Sequence, residues 1–98
     1  MSTETNGTRI VCSNSWQGDH GSVVILENHK KHPVTVSQGA NCTWPFSDPT
    51  SDFTIEAKQG GQPGVYSVTL VDTPGSYCYH TTGCGPGELT NPKTVIIA

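Results

Sequence analysis

Val24-Ile-Leu-Glu-Asn-His-Lys-Lys-His-Pro-Val-Thr-Val36 is the stretch from which the fold class can be read. Together with Val23, the unbroken apolar run to Leu26 is too short for an independent helix, so Ser22 to Asn28 reads as a strand covered on both faces. His29-Lys30-Lys31-His32 then forms a polar turn. From Pro33 to Gln38, Val34 and Val36 alternate with Thr35 and Ser37, the period of a half-buried strand. A central strand and its half-buried successor set an all-β pattern.

The flanking residues extend that pattern. Residues 1–7 read as a flexible polar tail, and residues 8–98 as one domain. Thr8 to Cys12 is a first short strand, followed by a loop through Trp16 to His20. Gly39 to Asp52 is a long connection carrying Trp44-Pro45-Phe46 and Asp48-Pro49, whose prolines oppose central strand pairing. Phe53, Ile55 and Ala57 alternate with polar residues, and after the glycine-rich loop from Gln59 to Gly64, Tyr66, Val68 and Leu70 share one face of a strand. Thr73-Pro-Gly-Ser76 fits a type II turn with Gly75 at the positive-φ position, which predicts a hairpin into Ser76 to His80. A loop from Gly83 to Pro92 leads to a last strand, Lys93 to Ala98. About seven short strands joined by turns fit a small Greek-key β-sandwich.

Composition narrows the function classes. In 98 residues the net charge is −3 and the only adjacent basic pair is Lys30-Lys31, so a phosphate backbone meets no basic field and nucleic acid is not an expected partner. No apolar run is long enough to span a bilayer as a helix. Four cysteines, Cys12, Cys42, Cys78 and Cys84, in a chain with a thin core point to disulfides and an oxidising compartment, secreted or otherwise extracytoplasmic. Their spacing contains no Cys-x-x-Cys pair, and four cysteines allow three full pairings. The first residues lack an apolar leader stretch, so such a location implies a leader absent from this chain or an export route without one. Two acceptor triplets for N-glycosylation begin at Asn6 and Asn41.

The apolar strand, the Asn-containing turn, the His32-Pro-Val-Thr-Val36 strand and the late Gly75-Ser-Tyr77 segment together resemble the cupredoxins, with phytocyanins and related fungal proteins as the nearest type. The resemblance implies a cupredoxin-like sandwich, a disulfide from Cys42 to Cys84, His32 as the first copper-binding histidine and Cys78 as the copper thiolate. In this register the second histidine falls at Gly83 and the axial ligand at Glu88, leaving the trigonal plane of a blue site one ligand short. A second register, anchored on Gly75-Ser-Tyr-Cys-Tyr79, puts the copper cysteine at Thr81. The stretch from Asp72 to Tyr77 also resembles the tyrosine corner of immunoglobulin-like sandwiches.

Two functional expectations follow. Gly-x-Ser-x-Gly, His-Glu-x-x-His and phosphate-cradling loops are missing, so the chain is not expected to be an enzyme. The leading expectation is a non-catalytic recognition domain without a cofactor, whose loop residues Trp16, Asn41 and Trp44 bind a carbohydrate or protein surface. Aromatic faces beside polar groups supply apolar contact and hydrogen bonds together, although Trp44 and Phe46 also fit a plug over an open sandwich end. The alternative is a copper-binding or electron-transfer protein using His32 and Cys78 with His80 or His29. Cys78 and His80 lie one residue apart on a strand and face the same way. Cys78 serves as staple or as ligand, not both. Oligomeric state has no sequence signal.

Overall fold

The computed structural model describes residues 5–88 and 90–98. Nine strands run in the order β1 (Thr5–Ile10), β2 (Ser15–Gly18), β3 (Val23–Asn28), β4 (Val34–Ser37), β5 (Phe46–Asp48), β6 (Phe53–Ile55), β7 (Gly64–Leu70), β8 (Gly75–Thr82) and β9 (Lys93–Ile97), with no helix among the described residues. One sheet has the order β1-β3-β7-β5 and the other β2-β9-β8-β4-β6. Within these mostly antiparallel sheets, β1 with β3 and β2 with β9 are parallel pairs. The chain is an all-β sandwich, as its alternation of apolar and polar residues requires.

Strands β2 to β9 turn one face to a shared core. Val24 and Leu26 from β3, Val68 and Leu70 from β7, Val34 and Val36 from β4, Ile55 from β6, and Val95 and Ile97 from β9 are buried between the sheets. Each fully buried side chain of this size contributes roughly 1.5–3 kcal/mol. The thin aliphatic core is filled out by aromatic rings: Tyr79 lies 5.9 Å from Phe46, Phe46 5.9 Å from Phe53, and Phe53 stacks on Tyr66 at 4.4 Å. These rings run across the molecule to the seam between β6 and β7.

Several expectations are corrected. β1 begins at Thr5, so residues 5–7 are part of a sheet rather than of a tail, while residues 1–4 lie outside the described region. Two strands read as loop, β2 and β5, are short and lie at sheet edges. The edge is the position that Pro45 and Pro49 around β5 tolerate, because a strand there pairs on one side only.

The expected hairpin at Thr73-Pro-Gly-Ser76 does not form. β7 pairs in one sheet and β8 in the other, Gly75 is already strand opposite Ile97, and it is not among the positive-φ glycines. The segment is instead a corner between sheets, closed where the Tyr77 hydroxyl donates 2.6 Å to the Thr73 carbonyl. That is the bond made by a tyrosine corner.

The disulfides are Cys12–Cys84 and Cys42–Cys78, with Cα separations of 5.4 and 5.1 Å. The pairing of Cys42 with Cys84 implied by the family resemblance is therefore incorrect. β8 explains why: the Cys78 amide bonds the Thr43 carbonyl, fixing Cys42 beside Cys78. The strand then runs on to Thr82, roughly 13 Å further at strand rise. Cys84 lies beyond that end, out of reach of a bridge that spans at most about 7 Å between Cα atoms. Two disulfides point to an oxidising, extracytoplasmic environment.

Candidate functional site

The residues expected to bind a ligand do not form a common surface. Trp16 is only 8% exposed; its Nε1–H donates 2.9 Å to the Tyr79 hydroxyl, which in turn donates 2.9 Å to the Val11 carbonyl. Burial raises the Tyr79 phenol well above its ordinary pKa, against a lesser lowering by the Trp16 hydrogen bond. Trp16 is therefore a core residue that ties β2 to β8, and its expected role at the surface is corrected. Trp44 is half-buried, meets Phe46 edge-on at 5.2 Å and donates its Nε1–H 2.9 Å to the Pro49 carbonyl. It closes its own loop over the core, the plug arrangement. Asn41 is exposed and takes φ 65°, making the turn that delivers Cys42 to Cys78.

The four residues of the copper alternative are likewise dispersed. The Cys78 sulfur is bonded to Cys42 and offers no thiolate. His80 lies against Gly39, where a Cβ would overlap its ring. His29 is exposed, its Nε2 2.8 Å from the Glu27 carboxylate on the outer face of β3. His32 donates its Nε2–H 2.7 Å to the Gly83 carbonyl. Among the described residues, no three His, Cys, Asp or Glu side chains converge as metal ligands. The donor set does not fit a blue-copper ion.

The positions brought together at the His32 end come from both registers: Gly83 and Glu88 from the first, Thr81 from the second. Glu88 accepts hydrogen bonds from the Gly83, Cys84 and Gly85 amides at 3.0, 2.7 and 3.4 Å and from the buried Thr81 hydroxyl at 3.2 Å. The Gly83 amide is the largest influence holding the Glu88 carboxyl below its usual range; burial opposes it, and the other three donors reinforce it. His32, Thr81, Gly83 and Glu88 thus satisfy one another. Where the second register calls for a cysteine stands the hydroxyl of Thr81, and at the first register's axial position the Glu88 carboxylate serves as the anchor of the loop.

Sequence reading missed a groove of about 440 Å3 at the seam between β6 and β7, lined by Thr54, Glu56, Ala57, Gln59, Gln62, Pro63, Gly64, Val65 and Tyr66. Tyr66 is half-buried and stacked on Phe53, while Val65 beside it is 59% exposed. Gln59 and Gln62 are held at the rim by reciprocal backbone bonds of 2.8 and 2.9 Å. The Tyr66 hydroxyl, the Glu56 carboxylate and both Gln side chains make no hydrogen bond to any described residue, so their polar atoms are free for a ligand. A second hollow, beside Asn14, Glu88 and Lys93, has its polar groups engaged internally: Lys93 bonds Asn14, and Glu88 bonds its loop. In the sequence, Tyr66 registers only as a core-facing strand residue. The groove is created by the approach of two strands that are not hydrogen-bonded to each other.

No protein-family model matches the chain, and a search of curated proteins finds no match. Among solved structures, a chain from the cryo-EM structure of a heme-copper terminal oxidase dimer superposes with a TM-score of 0.54 at 14% identity, covering 97% of this chain and 65% of that one. This chain thus spans just under two thirds of the oxidase chain. Dithionite-reduced auracyanin from the photosynthetic bacterium Roseiflexus castenholzii superposes with a TM-score of 0.44 at 14% identity, covering 100% of this chain and 98% of that one. At such identity the oxidase likeness speaks for the β-sandwich fold alone.

Proposed function

We propose that this chain is a secreted, non-catalytic recognition domain, a cupredoxin-like sandwich without copper chemistry that binds a carbohydrate or protein surface in the groove between β6 and β7. One observation carries the reading: the groove gathers a tyrosine, a carboxylate and two glutamine side chains whose polar atoms have no partner among the described residues. The indoles of the expected site, those of Trp16 and Trp44, are already satisfied. A concave surface combining an aromatic ring with convergent polar groups matches the chemistry of ligand sites. The binding role expected of the tryptophans thereby moves to Tyr66 and its neighbours.

The test is titration of the 15N-labelled protein with a panel of defined oligosaccharides and a peptide library, following amide shifts. Ligands should move the amides of residues 54–66, and the double variant Gln59→Ala/Gln62→Ala, altered only on an exposed rim, should weaken them. If no member of either panel perturbs the spectrum, or if shifts cluster away from the seam, the recognition reading fails.

A further inference from the structure

The hydrogen-bonding direction along β7 is set by two bonds. The Leu70 amide donates to the Ser22 carbonyl on the β3 side, and the Val71 amide donates to the Pro45 carbonyl on the β5 side. Amide and carbonyl of one residue in an antiparallel strand point the same way, and successive residues point to opposite sides. Val68, Tyr66 and Gly64 therefore face β3, in keeping with their register opposite Val24, Leu26 and Asn28. Val65, Ser67 and Thr69 face the other edge.

That edge is only partly covered. β5 pairs with Leu70 and Thr69 and ends at Asp48, so β7 has no neighbour alongside Val65 and Ser67. No described residue bonds the amide or carbonyl of either one. They present two donors and two acceptors, one strand period or about 7 Å apart, along an edge that starts at Val65 on the groove lining and runs past Ser67 just beyond it. Both side chains are exposed and neither is charged, and no proline or bulge interrupts the stretch, so the usual protections of an edge strand are lacking.

We propose that the ligand of the groove is an extended peptide segment of a partner protein, which adds to the free edge of β7 as a strand in line with β5. This rests on the recognition reading above and specifies its partner. A polypeptide main chain carries donors and acceptors at the same spacing as Val65 and Ser67, which a sugar ring does not, and strand addition of this kind is a recurrent mode of peptide capture. Side chains on the guest's inner face would meet Tyr66 and Thr54, and Glu56, with no cationic residue lining the groove, favours a Lys or Arg on the guest.

The experiment selects peptides from a displayed random heptapeptide library against the full chain, then compares the wild type with Ser67→Pro, Ser67→Ala and Gln59→Ala/Gln62→Ala. Proline removes the outward amide, and at an edge position it spares the bonds to β3. Ser67→Pro should weaken selected peptides about ten-fold or more, while Ser67→Ala, which keeps the amide, stays within about two-fold. In the complex, hydrogen exchange of the Val65 and Ser67 amides should slow. Should Ser67→Pro fail to fold, N-methylation of successive peptide amides provides the same readout, with affinity loss expected at every second position.

Peptides that bind the groove with equal affinity to Ser67→Pro, or with no alternation on N-methylation, overturn strand addition but leave the recognition reading intact. The same holds if oligosaccharides bind the seam and no peptide does. Self-association in sedimentation velocity that Ser67→Pro abolishes would assign the edge to a second copy and overturn the external partner. Absence of any ligand from either class removes the recognition reading itself.

Discussion

Replacing Asn28 by alanine should be among the most damaging single substitutions in this protein, even though it removes only an amide group. Asn28 is completely buried. Its Nδ2 lies 3.0, 3.2 and 3.0 Å from the carbonyls of His32, Ile55 and Glu56, and its Oδ1 accepts the Lys30 amide at 2.8 Å. One side chain thereby folds the turn after β3 and pins it to the end of β6. Three to four hydrogen bonds at about 1 kcal/mol each give a loss of about 3–4 kcal/mol, before any cost of the cavity. Against a total of about 5–15 kcal/mol, that is a large fraction.

The assay is urea denaturation under non-reducing conditions, with Tm as a second measure. A drop of roughly 12–25 °C is expected for a domain of this size, accompanied by faster exchange of the Lys30 amide. Asn28→Asp should be no milder, because it keeps the acceptor for Lys30 but turns a carboxylate toward three carbonyl oxygens. The buried carboxyl's folded pKa is raised, so this variant should gain stability as the pH falls. A loss below about 1 kcal/mol for Asn28→Ala would refute the bracing role.

Further expectations concern the disulfides, the Glu88 loop and Tyr79. Alkylation of the non-reduced protein should add no mass, and peptide mapping should recover Cys12–Cys84 and Cys42–Cys78; each closes a loop long enough to stabilise by about 4 kcal/mol in the chain-entropy treatment. Copper titration of that oxidised protein should give no thiolate charge-transfer band, and a band lost in Cys78→Ser would reverse the assignment. Glu88 has a depressed folded pKa, so its contribution to the loop is present above the ordinary glutamate pKa and lost as the pH falls through the lower folded value. Protection of the Gly83 and Cys84 amides, taken relative to their intrinsic exchange rates, should therefore fall with acid in that window, and Glu88→Gln should flatten the dependence. Tyr79, with its raised pKa, favours the folded state below pH of about 10 and loses that contribution as the pH rises further. Its phenolate absorption should emerge only with alkaline unfolding, and Trp16→Phe, which removes one donor to it, should cost about 1 kcal/mol in urea melts.

How far the sequence was legible follows from the range of the forces involved. The strands β4 and β7 could be read from their own alternation, because burial of one face imposes a period of two, and β3 and β9 from their runs of apolar, β-branched residues. β2 and β5 could not, since an edge strand of three or four residues owes its pairing to a neighbour distant in sequence: Trp16 lies opposite Val95 and Phe46 opposite Leu70. The corner at Thr73 was misread as a hairpin for the same reason. Pro74-Gly75 fits a tight turn locally, but Val68 and Leu70 in one sheet and Tyr79 in the other must face a common core, so the chain crosses from sheet to sheet. Trp16 is expected at the surface and stands in the core, because a loop-like surrounding says nothing about whether an indole points outward.

By itself, the sequence determined the class of object: an all-β domain with little charge, four cysteines and apolar faces alternating along its strands, which can bury its core only between two sheets. The tertiary structure alone decided which cysteines meet, that His32, Thr81, Gly83 and Glu88 satisfy one another, and that β7 is left with an open edge beside Tyr66. Periodicity is local and survives in one dimension. Pairing, the closure of a ligand shell and the vacancy beside a strand depend on where distant segments come to rest, and that position is set by the packing of the whole core.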